Sequence, residues 1–199
     1  MRLSILAATL ILALPATVLA QEAVPPAPGP SPAEGHLAPS GPDRVSDAEP
    51  ADVATPEAIV AALYDVISGD AGVQRDWDRF RSLFHPTARL VPTGVNPAGQ
   101  GALRVLTPDQ YITNSGSLLV ARGFHEREIA RQIELFGSIA HVWSTYDTRH
   151  SLSDAKAFAR GINSIQLFHD GTRWWVVSVY WQSETSAAQL PSRYLPPSD

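Results

Sequence analysis

The 199-residue sequence contains no cysteine. A bacterial lipoprotein needs a cysteine at its cleavage site, so lipid anchoring by that route is excluded. Disulfide bonds, thiolate catalysis and cysteine-ligated zinc are excluded with it. The six histidines show neither the HxH nor the HExxH spacing of a metal site. We therefore predict no metal.

Other chemical signatures are missing as well. No GxSxG motif marks a serine-hydrolase nucleophile, and no glycine-rich phosphate loop follows a strand. Lys and Arg number 15 against 20 Asp and Glu, without a basic run interleaved with aromatics. That balance disfavours nucleic-acid binding and a polybasic membrane patch. We expect no cofactor, no nucleic-acid partner and no membrane anchor.

The first residues have the features of an export signal. Met1-Arg2 is positive, residues 3–14 are almost entirely apolar, and Val18-Leu19-Ala20 suits a signal peptidase. The run is shorter than the ~20 residues that span a bilayer. We predict cleavage after Ala20 and a periplasmic or secreted protein, whose net charge goes from −5 to −6 on losing Arg2.

The next segment predicts a spacer. Residues 21–50 hold eight of the 17 prolines and no aromatic residue, so they bury too little apolar surface to fold. We assign residues 21–52 to a disordered linker, 53–187 to one domain and 188–199 to a flexible tail. A domain of this length is large enough to bury one hydrophobic core.

Three helices are expected first in the domain. Thr55-Pro56-Glu57 joins a hydroxyl cap, a first-turn proline and an acid facing the helix dipole, and Gly69 ends the helix. Residues 77–84 suit a shorter second helix. Thr107-Pro108-Asp109 repeats the cap for a third, which runs to about Val120.

Strands are expected elsewhere. A short strand at 88–91 is predicted to stop at Pro92, and longer ones at 123–136, 138–149, 160–169 and 173–183. The charges of segment 123–136 also suit a helix. Helices followed by a strand meander indicate the α+β class.

Taken together, this order resembles the NTF2-like (SnoaL-like) superfamily over residues 53–185. Three stretches carry most of the resemblance: Ala140–Tyr146, Arg160–Leu167 and Asp170–Trp175. They are similar to an uncharacterised, exported bacterial subgroup. The resemblance implies an NTF2-like cone, with a curved, mostly antiparallel sheet wrapped around three N-terminal helices, and frequently a dimer. The superfamily includes dehydratases, isomerases, epoxide hydrolases, cyclases and non-catalytic binders, so the fold leaves the function open.

The ketosteroid isomerases of this superfamily offer a residue-by-residue test. An ungapped count between Phe168 and Trp181 places their oxyanion-hole acid at Ser164. Their general base falls at Pro92, and their helix tyrosine falls near Ala62, with Tyr64 two residues away. None of the three roles is filled at those positions, and ketosteroid isomerisation is not expected.

The same count predicts which side chains face the cavity. If Ser164 points inward, alternation brings Arg160, Ile162, Gln166 and Phe168 with it, opposite Trp175, Val177, Val179 and Trp181. An inward Arg160 then requires an acid, from the protein or from a ligand carrying a carboxylate. Alternatively, Ser164 and Gln166 bond only the backbone and Arg160 lies in solvent.

Other polar residues are weaker candidates. His85 and His141 are the histidines available for a dehydratase-like site. Glu126, Asp147, Arg149 and Arg160 carry the charges of an epoxide-hydrolase site without its spacing. Alternation allows only one of Tyr146 and Asp147 inside.

The leading hypothesis is an exported domain that binds a small, partly apolar molecule in its cone, with or without a metal-independent lyase- or isomerase-type activity. The predicted pocket residues are Arg160, Ser164, Gln166, Trp181, Tyr64, Glu126 and His141. A homodimer is expected through the outer sheet surface, at Trp174, Val176 and Tyr180. The alternative is a non-catalytic, dimeric interaction module of the cell envelope.

Overall fold

The computed structural model describes residues 47–95 and 99–197. The predicted signal peptide and the predicted linker up to residue 46 lie outside the described residues. All statements below concern the described part of the chain. No helix in it is both long and apolar enough to cross a membrane.

The described residues form three α-helices, of which the first and the third start at the predicted caps. They are α1 (Pro56–Ile67), α2 (Trp77–Ser82) and α3 (Pro108–Arg122). The Thr55 hydroxyl accepts a hydrogen bond from the Ala58 amide at 3.1 Å. At α3, Thr107 and Gln110 form a reciprocal capping box. These bonds satisfy backbone donors that a helix start leaves free, which explains why the sequence located the helix starts well.

Six strands form one mostly antiparallel sheet. They are β1 (Phe84–Val95), β2 (Gly101–Leu103), β3 (His125–Phe136), β4 (Ile139–Arg149), β5 (Ala159–His169) and β6 (Trp174–Ser183). The strand order is β2-β1-β6-β5-β4-β3, and only β1 and β6 run parallel. The α+β class is confirmed, and segment 123–136 is a strand.

The first strand is longer than predicted. It continues through Pro92, which is paired with Trp181 of β6. Proline lacks an N–H, but its carbonyl accepts a hydrogen bond from the Arg104 amide at 3.1 Å. Pro92 therefore does not end the strand, because its carbonyl still takes part in pairing.

The helices pack on one side of the sheet, which we call the inner face. Ile59 and Val60 of α1 are fully buried, as are Val142 and Ile165 of the sheet. At the C-terminus of α3, Gly123 has φ +70°, and a Cβ there would lie 2.4 Å from the His150 carbonyl oxygen. Only glycine fits that turn between α3 and β3.

The opposite side of the sheet, the outer face, is covered in part by the C-terminal segment. The Thr145 hydroxyl donates to the Tyr194 carbonyl at 2.7 Å. The Tyr194 ring lies 5.7 Å from the ring of Trp143. Residues 188–197, predicted as a flexible tail, thus include a segment that packs on the sheet.

The N-terminal side of the domain also begins earlier than predicted. Residues Pro50–Asp52 form a 3₁₀ turn, and Ala48 packs against the core. Asp52 accepts two hydrogen bonds from the Arg79 guanidinium, at 2.8 and 3.0 Å. The folded unit therefore includes residues that composition alone assigned to the linker.

Candidate functional site

The inward residues of β5 are one position away from those predicted. Gly161, Asn163, Ile165 and Leu167 are buried against the helices. The predicted set at 160, 162, 164, 166 and 168 lies on the outer face. The facing predicted for β5 is therefore wrong by one residue.

A bulge in the neighbouring strand, β6, explains why the facing predicted for its first half is also wrong. Gln166 pairs with Ser178, but Leu167 pairs with Val176, which leaves Val177 as an extra residue. An ungapped count cannot anticipate that residue. Consequently Trp174 and Val176 point inward instead of forming the predicted dimer surface, and only Tyr180 of that trio is exposed.

Three predicted pocket residues belong to the outer face. Arg160 is 43% exposed in its side chain and pairs with Glu184 at 2.8 Å. Gln166 is exposed. The Ser164 hydroxyl is 3.0 Å from Nε2 of His141, a fourth predicted residue. The acid that Arg160 was expected to need is supplied by Glu184 at the surface, so the prediction of one pocket containing Arg160 is wrong.

The remaining histidine and acid candidates also lie away from the helices. Nδ1 of His85 contacts the Thr87 hydroxyl at 2.8 Å, and its ring is 5.9 Å from that of Trp175 on the outer face. Asp147 accepts hydrogen bonds from Arg127 at 2.9 and 3.0 Å. Of the pair Tyr146 and Asp147, it is Tyr146 that faces the helices.

Three predicted residues do lie on the helix side of the sheet: Tyr64, Glu126 and Trp181. Glu126 enters from the start of β3. Its carboxylate accepts a hydrogen bond from the Thr148 hydroxyl at 3.2 Å and from the Asn163 amide at 3.4 Å. No basic side chain of the described residues forms an ion pair with it.

The electrostatics of Glu126 follow from this setting. Burial raises its pKa from 4.5 to about 7, while the hydrogen bonds from Thr148 and Asn163 lower it. A carboxyl group that holds its proton to about pH 7 exchanges it readily near neutrality. That property suits a general acid or base.

Three tyrosines converge near this carboxyl group. Burial raises the pKa of Tyr64, Tyr111 and Tyr146, and the charge of Glu126 raises all three further. The value for Tyr146 is about 12. All three phenols therefore stay protonated at neutral pH and are available as hydrogen-bond donors.

Their hydroxyl groups are used differently. The Tyr64 hydroxyl is 2.6 Å from Ser144 Oγ and accepts from the Asn163 amide at 3.0 Å. The Tyr146 hydroxyl is 3.1 Å from Ser183 Oγ. The Tyr111 hydroxyl has no hydrogen-bond partner among the described residues. Among the described residues, Tyr111 is thus the tyrosine whose hydroxyl is not already engaged, and the charge of Glu126 reaches it.

Aromatic packing fixes the Tyr111 ring. It stacks on Phe80 with ring centroids 5.6 Å apart and meets the edge of Trp181 at 6.3 Å. Trp181 sits opposite Asn163 across the β5–β6 pair. The site is therefore an acid, a phenol donor and an indole wall, which are held by β3, α3 and β6.

Sequence reasoning missed Tyr111 and Asn163. Asn163 is one residue from the position chosen, and the bulge at Val177 hid it. Tyr111 lies one turn after the Thr107 cap of α3, where the sequence pattern indicates only an ordinary helix-packing residue. Its proximity to Glu126 depends on the docking of α3, which no local pattern specifies.

A separate groove of about 230 Å³ lies between the outer face and the C-terminal segment. Its lining includes Trp143, Ser164, Tyr180 and Leu190. Trp181 also contributes to this lining, whereas Glu126 and Tyr111 do not. Among the described residues, no group of three His, Cys, Asp or Glu side chains is placed to hold a metal ion.

Comparisons with known proteins concern the fold alone. No family model matches the chain, and no curated protein matches it. An NTF2-like protein of unknown function from Silicibacter pomeroyi is 17% identical, with 66% of this chain and 94% of that chain covered and a TM-score of 0.47. An NTF2-like protein of unknown function from Shewanella baltica is 15% identical over 64% and 90%, at 0.43.

The crystal structure of LinA is 10% identical, covering 73% of this chain and 95% of that one, with a TM-score of 0.49. At such identities these structures indicate nothing about ligands or residues of this chain. The arrangement described above, three helices against a mostly antiparallel sheet of six strands, is an α+β fold.

Proposed function

We propose that this protein is an exported NTF2-like domain that binds a small, partly apolar carbonyl compound on its inner face and transfers a proton to or from it without a metal. The observation that carries the proposal is the placement of Glu126. Its carboxyl group lies on the inner face, accepts hydrogen bonds from two neutral donors of the described residues, and is close enough to Tyr111 for its charge to raise the pKa of that phenol.

The substrate class follows from the chemistry of the site. Trp181 and Tyr111 offer apolar ring surface, and within residues 47–95 and 99–197 no basic side chain pairs with Glu126 to favour an anion. A ligand with one carbonyl oxygen and an acidic C–H next to it matches one donor and one base. This differs from the carboxylate ligand that an inward Arg160 would have selected.

Each group has a distinct part in the reaction. The Glu126 carboxylate removes a proton from the carbon beside the carbonyl, and the electron pair of the broken C–H bond moves into the carbonyl. The oxygen thereby becomes an enolate, whose charge the Tyr111 hydroxyl stabilises by hydrogen bonding. Return of the proton to another carbon completes an isomerisation, whereas departure of a leaving group completes an elimination.

Hydrogen–deuterium exchange tests this step without knowledge of the natural substrate. Small cyclic ketones in D₂O should take up deuterium beside the carbonyl when the protein is present, measured by proton NMR. Glu126→Gln should abolish the catalysed exchange, and Tyr111→Phe should slow it by about a hundredfold or more. Arg160→Met, on the outer face, is the matched control and should exchange at the wild-type rate.

Equal exchange rates for the wild type and Glu126→Gln would refute the proposal. Exchange that occurs with Glu126→Gln but not with Arg160→Met would move the site to the outer face.

A non-catalytic interaction module is the second candidate, favoured by an exposed apolar hairpin tip. Leu135, Phe136 and Ile139, at the β3–β4 turn, are 58, 82 and 58% exposed. Such a surface suits contact with another protein or with a second copy. If the tip mediates self-association, Phe136→Ser should sediment more slowly than the wild type. If both proteins sediment as monomers, self-association through this tip is excluded.

A further inference from the structure

A chain of hydrogen bonds joins the two inward carboxyl groups of β3. Glu128 forms an ion pair with Arg131 and accepts a hydrogen bond from Ser144 Oγ at 2.6 Å. Ser144 Oγ is 2.6 Å from the Tyr64 hydroxyl. The Asn163 amide then reaches Tyr64 at 3.0 Å and Glu126 at 3.4 Å.

Donor counting gives this chain one direction. The Glu128 carboxylate, paired with Arg131, can only accept, so the single hydrogen of Ser144 is directed to it. Ser144 Oγ must then accept the hydrogen of the Tyr64 hydroxyl. The Tyr64 oxygen in turn accepts one N–H of Asn163, which leaves the other N–H for Glu126.

We infer that Ser144 and Tyr64 are positioning residues, which hold the Asn163 amide with its NH₂ group toward Glu126. The inference rests on the proposed function of Glu126 as the proton-transfer group. An Asn side chain can flip and present its carbonyl oxygen instead, which would favour the protonated acid. The chain from Arg131 prevents that flip and keeps the basic form of Glu126 accessible.

The other groups facing Glu126 do not impose the same orientation. Tyr64 comes from α1, Tyr111 from α3 and Tyr146 from β4, and all three are neutral phenols at neutral pH. In the described part of the chain, the charged groups at the other end of this hydrogen-bond chain are Glu128 and Arg131, which pair with each other. The direction of the amide is therefore determined by the chain, and the Tyr64 hydroxyl is not free to bind a ligand.

The test is a carbon-13 NMR titration of the full-length mature protein labelled at glutamate carboxyl carbons. The signal lost in Glu126→Gln identifies Glu126. Its titration midpoint should lie near pH 7 in the wild type. In Tyr64→Phe and in Ser144→Ala the midpoint should rise by about one pH unit, because the Asn163 amide is then no longer held in position to donate its hydrogen bond to the Glu126 carboxylate. Thr145→Ala removes a buried hydroxyl from the adjacent, outward position of β4 and should leave the midpoint unchanged.

A second readout needs no variant. The side-chain NH₂ signals of Asn163 in the wild type should follow the titration of Glu126 with the same midpoint, since its N–H bonds that carboxylate. If the wild-type midpoint lies near 4.5, the proposed function fails. If it lies near 7 but neither the variants nor the Asn163 signals respond, the proposed function stands and the positioning inference is overturned.

Discussion

Glu126→Gln should change the pH dependence of stability in a calculable way. Burial holds the Glu126 pKa at about 7 in the folded protein, against an ordinary 4.5. The folded protein thus binds this proton more tightly than the unfolded chain does. Its contribution favours folding most at low pH, and stability falls as the pH rises from about 4.5 to about 7.

The magnitude follows from the two values. They differ by about 2.5 pH units, each worth roughly 1.4 kcal/mol, so ionised Glu126 should destabilise the wild type by about 3.5 kcal/mol above pH 8. Glutamine has nearly the same shape, accepts hydrogen bonds from the same neighbours and does not ionise. Relative to the wild type, Glu126→Gln should therefore gain about 2 to 3 kcal/mol between pH 5 and pH 8.

Urea unfolding of both proteins at several pH values measures this difference, and comparison with the wild type cancels the other titrating groups. A difference that stays constant from pH 5 to pH 8 would refute the account of a buried, uncompensated carboxyl group.

Three further changes test the packing around the site. Arg160→Met should cost less than about 1 kcal/mol in urea unfolding, because its partner Glu184 is a surface acid; a large loss would show an inward role. Gly161→Ala should cost about 1 to 3 kcal/mol or more, since a Cβ there would lie 2.4 Å from a backbone oxygen of β6; a neutral result would contradict the close approach of β5 and β6. Arg79→Met should lower the melting temperature by several degrees through loss of its bonds to Asp52 and Asp65, and an unchanged value would mean that these ion pairs add no stability.

Local patterns predicted the elements of the fold but not its faces. Thr55 and Thr107 identified two helix starts because a hydroxyl cap and a first-turn proline act within one turn of chain. Segment 123–136 was predicted as a strand although its charges also suit a helix, and its pairing with β4 confirms that prediction.

The site was harder to predict for a physical reason. Alternation along β5 is strict, so a single wrong reference residue moves every side chain to the other face, and Arg160 changes from a ligand contact to a surface ion pair. The bulge at Val177 is such a one-residue event. Glu126 was a candidate, yet its partner Tyr111 depends on the packing of α3 against the sheet, which is a tertiary property.

Proline-rich termini illustrate the same limit at the domain boundary. Composition assigned residues up to 52 to the linker and residues from 188 to a tail. Asp52 is nevertheless held by Arg79, and Tyr194 packs on Trp143. One well-placed contact fixes a short polar segment, and average composition does not reveal it.

Crystals grown with phenol give the most direct test of the acid–phenol site. Phenol resembles a small enolate in size and in its single oxygen, and its ring is suited to an indole wall. We expect its oxygen within hydrogen-bond distance of the Tyr111 hydroxyl and its ring against Trp181, on the same side of the sheet as Glu126. Phenol ordered only in the outer groove beside Trp143, with the inner face unchanged, would contradict the central claim.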